Sequence, residues 1–259
     1  MIMKYVKGDL VTLPRRGRAM VITDLHGNLD DFIKIMTLWG KCFNRKCHLV
    51  LTGDFIHAMG RENDHSIEIL EEVLYFRNKY DNFHPLLGNH EWATLTKILI
   101  FKGGVNQNVN FEQILKRNFP YNWEEKLEEY INFFQTLPVA VKTANQVFIS
   151  HAGPPKAVYN LDDIINLTKN GYINNQPLYE LLWSRYTDIN QKDVDNFLDK
   201  VGCRAMVVGH TSVNGYKLKG NLLVLSSSFG KGKKAYLQLD LQKEIIKGKD
   251  LESMVKYFK

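Results

Sequence analysis

The stretch Arg18-Ala19-Met20-Val21-Ile22-Thr23-Asp24-Leu25-His26-Gly27-Asn28 decides how the rest of the chain is read. Residues 18–23 are a short apolar run bounded by Gly17 and Asp24, and they predict a buried strand. Asn28 suits a helix N-cap, and Asp30 and Asp31 then fall in a first turn where the helix dipole favours negative charge. Phe32, Ile35, Met36 and Trp39 give that helix an apolar stripe, and Gly40 predicts its end. Asp24 and His26, two side chains able to hold a metal, are therefore expected on the tight connection leaving a strand.

The same arrangement recurs outward from this point. Residues 48–52 predict a strand ending at Gly53-Asp54, and residues 66–80 a helix with Ile67, Leu70, Val73 and Leu74 on one face. Residues 83–87 predict a strand ending at Gly88-Asn89-His90-Glu91. Strands alternating with helices imply βαβ units and a largely parallel sheet, in which ligands gather at the carboxyl ends of strands. Residues 92–135 read as mostly helical, most clearly over 124–134, and Pro138 closes them. Residues 139–150 predict a hairpin that delivers His151, and 204–208 a strand that delivers Gly209-His210. Strands at 222–226 and 235–240 imply a second sheet. The Lys-rich stretch 243–259 reads as a solvated terminal helix.

Bulk properties fit this pattern. A chain of 259 residues with 44% hydrophobic composition can bury a large core, and no composition break marks a linker. One domain over 1–259, with a helical insertion at about 92–137, is expected. The formal charge of +6 favours anionic partners. The basic clusters at 15–18 and 231–234 are not interleaved with aromatics, so they read as solvated loops and do not indicate nucleic acid. No uncharged apolar run is long enough to cross a bilayer, and residues 1–10 lack a signal-peptide core. Three cysteines, an odd number, fit a reducing compartment, and a cytoplasmic location is expected. Cys42 and Cys47 beside His48 lack the second pair a zinc site needs and read as structural. His65 is assigned to the surface, His84 to the core, and Trp92 and Trp183 to packing.

Asp24, His26, Asp54, Asn89, His151 and His210 supply oxygen and imidazole donors suited to two hard or borderline divalent ions. Two ions roughly 3.5–4 Å apart need a shared ligand, and Asp54 is the natural carboxylate for it. Such a pair ionises water near neutral pH, giving a nucleophile for in-line attack on phosphorus. His90 directly follows Asn89, so the two side chains diverge, and its ordinary pKa suits a general acid. Arg185 is the candidate to grip non-bridging phosphate oxygens bidentately.

The order Asp24-x-His26, Gly53-Asp54, Gly88-Asn89-His90-Glu91, His151, Gly209-His210-Thr211 resembles the calcineurin-like metallophosphoesterase superfamily, and within it the phosphoprotein phosphatases. The resemblance spans roughly residues 18–240 and includes Leu137-Pro138, the Leu-Leu-Trp-Ser run at 181–184 and residues 236–240. It implies an αββα sandwich of two mixed sheets flanked by helices, with metals at one edge. Manganese, iron or zinc would be the ions, Asp54 their bridge and His90 the acid. Phosphoprotein phosphatases usually read Gly-Asp-x-x-Asp-Arg-Gly at the second block. Here the orienting Asp is His57 and the phosphate-gripping Arg is Ala58. Arg61 and Asp64 are candidates to take over those roles.

The leading expectation is a phosphomonoesterase acting on a phosphoprotein or small phosphoester. A phosphodiesterase or nucleotide hydrolase is the alternative, acting on a dinucleoside polyphosphate, cyclic nucleotide or RNA end. Superfamily diesterases commonly carry Gly-His-x-His in the last block, where this chain has Gly209-His210-Thr211-Ser212. A non-catalytic binding protein of the same fold is the third reading, disfavoured because every ligand position and His90 are present.

Overall fold

Strands buried on both faces, such as Cys47–Leu51 and Ala205–Val208, set the architecture, which a computed structural model describes for residues 4–43 and 46–258. From the amino end come Val6–Lys7 (β1), Leu10–Leu13 (β2), Arg18–Ile22 (β3), Leu29–Phe43 (α1), Cys47–Leu51 (β4), Ser66–Lys79 (α2) and Phe83–Pro85 (β5). Asn89–Thr96 (α3) leads to a small hairpin of Phe101–Lys102 (β6) and Val105–Asn106 (β7), then Gln107–Asn118 (α4) and Trp123–Gln135 (α5). Ala140–Thr143 (β8) and Val147–Ser150 (β9) precede Leu161–Ile165 (α6), Gln176–Trp183 (α7) and Gln191–Val201 (α8). The last elements are Ala205–Val208 (β10), Tyr216–Lys219 (β11), Leu222–Leu225 (β12), Ala235–Asp240 (β13), a 3-10 segment Gly248–Met254, and Val255–Tyr257 (β14).

Two large mixed sheets result. One has the order β14-β13-β3-β4-β5, with β3, β4 and β5 parallel and β13 antiparallel to its neighbours. The other has the order β1-β2-β8-β9-β10-β12-β11 and mixes parallel with antiparallel pairs. Alternate residues of each strand point to opposite faces. Ala19, Val21 and Val50 of the first sheet thus pack with Val141, Ile149, Val207 and Leu223 of the second. Met20, Ile22, Leu49 and Leu51 turn outward to join Phe32, Ile35 and Leu70 of α1 and α2. On the far side Phe148 of β9 meets Phe197 of α8 edge to face, with centroids 4.9 Å apart. Helices therefore flank a sandwich of two sheets, the expected α/β class. Among the described residues no helix is long and apolar enough to cross a membrane.

Two local expectations give way. Gly40 does not end α1, which runs on to Phe43; position 40 is exposed and Cys42 still packs in the core, so burial outweighs the modest cost of a helical glycine. Residues 243–259 do not form a helix. Their 3-10 segment buries Leu251, and β14 pairs antiparallel with β13, so sheet-edge pairing wins over local charge; Lys259 lies outside the described residues. Residues 92–135 are mostly helical, as expected, and Gly103 and Gly104, both with positive φ, turn the β6–β7 hairpin that interrupts them.

Candidate metal centre

β3, β4 and β9 stop at neighbouring points, and the backbone then leaves regular geometry. Asp24, His26, Asp54, His57 and His210 all have φ between 47° and 67°. This left-handed region costs a non-glycine residue on the order of 1–2 kcal/mol. Five of the ten such non-glycine positions among the described residues lie here, so strain is concentrated at one place. The second and third blocks also press together, since a Cβ at Gly88 would overlap the Asp54 backbone nitrogen. Glu91 locks them: Oε2 accepts from the backbone N–H groups of Asp54 at 2.7 Å and Gly88 at 3.1 Å, and Oε1 from Phe55 at 2.8 Å and Ile56 at 3.3 Å.

Asp54 lies at the middle. Its Oδ2 is 3.4 Å from His26 Nε2 and 3.6 Å from His151 Nε2, and its Oδ1 accepts from the His90 backbone N–H at 3.1 Å. Two groups of donor atoms share it, each with all atoms within 4.8 Å: His26, Asp54 and His90, and Asp54, His151 and His210. His26 Nδ1 donates to the carbonyls of Ile56 at 3.2 Å and His57 at 3.0 Å, and His151 Nδ1 donates to Thr52 at 2.9 Å. Those bonds fix both tautomers with a bare Nε2 facing the Asp54 carboxylate. Asn89 Oδ1 lies 2.8 Å from His151 Nε2 and 3.0 Å from His210 Nδ1. The Asp24 carboxylate accepts from the His210 backbone N–H at 3.0 and 3.1 Å. Acceptor thus faces acceptor at several points, an arrangement a cation resolves.

Electrostatics say the same. Burial, opposed by bonds from Thr23 and His210, pushes the Asp24 carboxyl up to about 7. Asp54 is held well above the carboxylate range by burial, then by Glu91 and Asp24. Burial lowers His26 to about 4 and His210 to about 3, the latter helped by the Arg185 charge. It also holds His90 and His151 well below the ordinary value. Among the described residues no Lys or Arg forms an ion pair with Asp24 or Asp54. Buried carboxylates among neutral imidazoles, with no Lys or Arg ion-paired to them among the described residues, fit divalent metal.

The sequence left open what replaces the usual pair at positions 57 and 58. His57 Nδ1 lies 2.7 Å from His90 Nδ1, and its ring packs edge-on to Phe111 with centroids 5.7 Å apart. Asp64 does not reach His90: it accepts from the Ser66 backbone N–H at 2.9 Å and the Ala58 N–H at 3.3 Å, holding the loop before α2. Arg61 donates to the His26 carbonyl at 3.3 Å and so stands beside the centre. Arg185 is exposed just past α7.

Three neighbours were not anticipated. Glu91 was legible as part of a motif but not as the lock on the Asp54 turn. Phe229 packs edge-on to His26 at 4.8 Å and donates its backbone N–H to the Asp24 carbonyl at 3.0 Å. It belongs to Ser226-Ser227-Ser228-Phe229-Gly230, a further strand-end block whose position after β12 was the available signal. Trp183 packs against Trp92 as expected, and it also lies edge-on to His210 at 5.9 Å.

A two-sheet sandwich with carboxylate, amide and imidazole donors at its strand ends defines a class, the metal-dependent phosphoesterases. The chain matches the calcineurin-like phosphoesterase family over residues 17–214, and it belongs to that family of phosphoester hydrolases. It is 24% identical, over 90% of its own length, to a probable serine/threonine-protein phosphatase of Encephalitozoon cuniculi. It spans 52% of that relative's length. A Saccharomyces cerevisiae protein serine/threonine phosphatase with similarity to human phosphatase PP5 superposes with a TM-score of 0.67 at 20% identity, covering 90% of this chain and 76% of that one. A cold-active protein-tyrosine phosphatase from a psychrophilic Shewanella superposes with a TM-score of 0.62 at 19% identity, covering 100% and 85%. These likenesses establish a common fold.

Proposed function

We propose that the chain is a phosphomonoesterase of the protein-phosphatase type, acting through two divalent ions on a phosphorylated substrate. One observation carries the reading: the Asp54 carboxylate stands between His26 and His151, 3.4 and 3.6 Å from their Nε2 atoms, the place a shared carboxylate would occupy. Asp24 and His26 would complete one ligand set, and Asn89, His151 and His210 the other, with manganese the first candidate and iron or zinc next. Ions so held supply neutralisation of phosphate charge and a water ionised near neutral pH.

The chain's own residues do the rest. His90 adjoins Asn89 and is hydrogen-bonded to His57, which places it to protonate the oxygen leaving phosphorus; burial depresses its basicity, so in this reading it takes up that proton only when an anionic phosphate sits beside it. Arg185 and Arg61 bind the non-bridging oxygens, Arg61 standing in for the arginine absent at position 58. Phe229 and Phe111 wall the histidines from water. The chain acts in this reading as one domain in a cytoplasmic setting, with α3 to α5 inserted between the two sheets' strands.

The experiment is a comparison of substrates on manganese-loaded protein: an aryl phosphate monoester, the matching diester, a phosphopeptide and a dinucleoside tetraphosphate. Preference for the two monoesters is expected. Preference for the diester or the tetraphosphate would favour the phosphodiesterase or nucleotide hydrolase, a reading that the alanine at position 58 keeps open because a weaker clamp admits other esters.

A further inference from the structure

Beside the centre, and outside the chemistry above, α3, α4 and α5 enclose a groove of about 610 Å³. Leu99, Val109, Phe111 and Leu127 give it an apolar lining, and the exposed Glu124 and Glu128 stand at its edge. Lys97 is the one cation among its lining residues, against three glutamates, in a chain whose net charge is +6. Leu99 is 56% and Val109 46% exposed, and on the neighbouring hairpin Phe101 is 62% and Val105 52% exposed. Large apolar side chains grouped in this way mark an interaction surface.

The groove is joined to the reacting groups at two points. Its floor residue Phe111 packs on His57, and its wall residue Thr94 donates its hydroxyl to the His90 carbonyl at 3.1 Å. A small phosphoester bound at Asp54 and His90 has nothing to place there, but a polypeptide does. We propose that the groove docks a segment of a phosphoprotein substrate, one or two large apolar side chains flanked by Lys or Arg, while the phosphorylated residue occupies the centre. This inference rests on the phosphomonoesterase reading and narrows it to polypeptide substrates. Apolar anchors fill the lining, basic flanks meet Glu124 and Glu128, and docking raises the local concentration of the phosphate at His90.

The test uses a fluorescent peptide carrying a Leu-Phe pair between arginines, with and without a phosphoserine, and the full chain. Anisotropy should show the non-phosphorylated peptide binding, and Glu124→Lys/Glu128→Lys should weaken it on the order of tenfold. Val109→Asp, an exposed change on α4, should do the same. The kcat/KM ratio of the phosphopeptide to an aryl phosphate should fall in both variants. Equal binding by wild type and variants, no binding to wild type, or an unchanged ratio would overturn the docking role. If the peptide binds as expected but neither it nor the aryl phosphate releases phosphate, the hydrolysis reading fails and the bound segment is not a substrate.

Discussion

Two sets of buried histidines lie in the sandwich, and they are opposite in character. Past the carboxyl ends of β3, β5 and β9, His26, His90 and His151 share space with carboxylates and keep bare ring nitrogens. Within β4 and β5 His48 and His84 stack at 5.2 Å and 18°, with Nδ1 of one 2.9 Å from Nε2 of the other. Tyr5 closes over both, edge-on, at 5.0 and 5.9 Å. This second pair sits on regular strand backbone, has no carboxylate partner among the described residues and satisfies itself. Burial lowers both sets, His48 to about 4 and His84 to about 3, so depressed basicity does not distinguish them. Left-handed backbone and unresolved acceptors do. A buried histidine marks a site when regular pairing has ended and polar atoms are left over.

The largest effect expected is at the shared carboxylate. Asp54→Asn should lose bound metal and activity together, by on the order of a thousandfold or more, read by elemental analysis and aryl phosphate turnover. Retained metal with lost activity would make Asp54 something other than a ligand. Next, His90→Asn should keep its metal and slow phenyl phosphate by about 10²- to 10⁴-fold, while a dinitrophenyl ester, whose leaving group needs no proton, is slowed far less. Loss of metal in that variant would move His90 into the ligand set, a place its nearness to His26 and Asp54 allows.

Glu91→Gln should destabilise the protein by about 3 kcal/mol, because an amide cannot accept from four backbone N–H groups around the Asp54 turn. Chemical denaturation checks this. The smallest effect belongs to the other pair. Folded pKa values near 4 and 3 lie below the ordinary 6.5, so the unfolded chain binds protons that the folded pair refuses. Stability from these groups is full above pH 6.5 and is lost as pH falls toward the folded values. His48→Leu/His84→Leu should therefore lose fewer degrees of Tm between pH 7 and 5 than wild type, by about 5 °C, with metal content and turnover unchanged. An equal fall would return the acid sensitivity to the metal centre.

Most of this contrast could be read from residue order. Asp24, His26, Asp54 and Asn89 each followed a short apolar run, and strand ends are where α/β sheets present ligands. His57 was legible as the substitute for the residue that orients the acid histidine and as a possible neighbour of the site, but not as the group that itself bonds His90, a role assigned to Asp64, because a loop with φ of 67° at His57 and 58° at Met59 has no periodicity to place it. Glu91 was visible within its motif, yet its bonds to Asp54, Phe55 and Ile56, 35 to 37 positions away and fixed only by folding, are not written in local pattern. β14 escaped for a similar reason: it is defined by Leu237, Tyr236 and Ala235 opposite it, about twenty residues away. The β6–β7 turn could have been seen, since Gly103-Gly104 is a hairpin signal.

The central claim is that Asp54 is shared between two ions. Electron paramagnetic resonance of manganese-loaded protein tests it most directly. Two ions per chain with a spin-coupled spectrum are expected, since ions that share a carboxylate lie roughly 3.5–4 Å apart. One ion per chain with the hyperfine pattern of an isolated ion would contradict it.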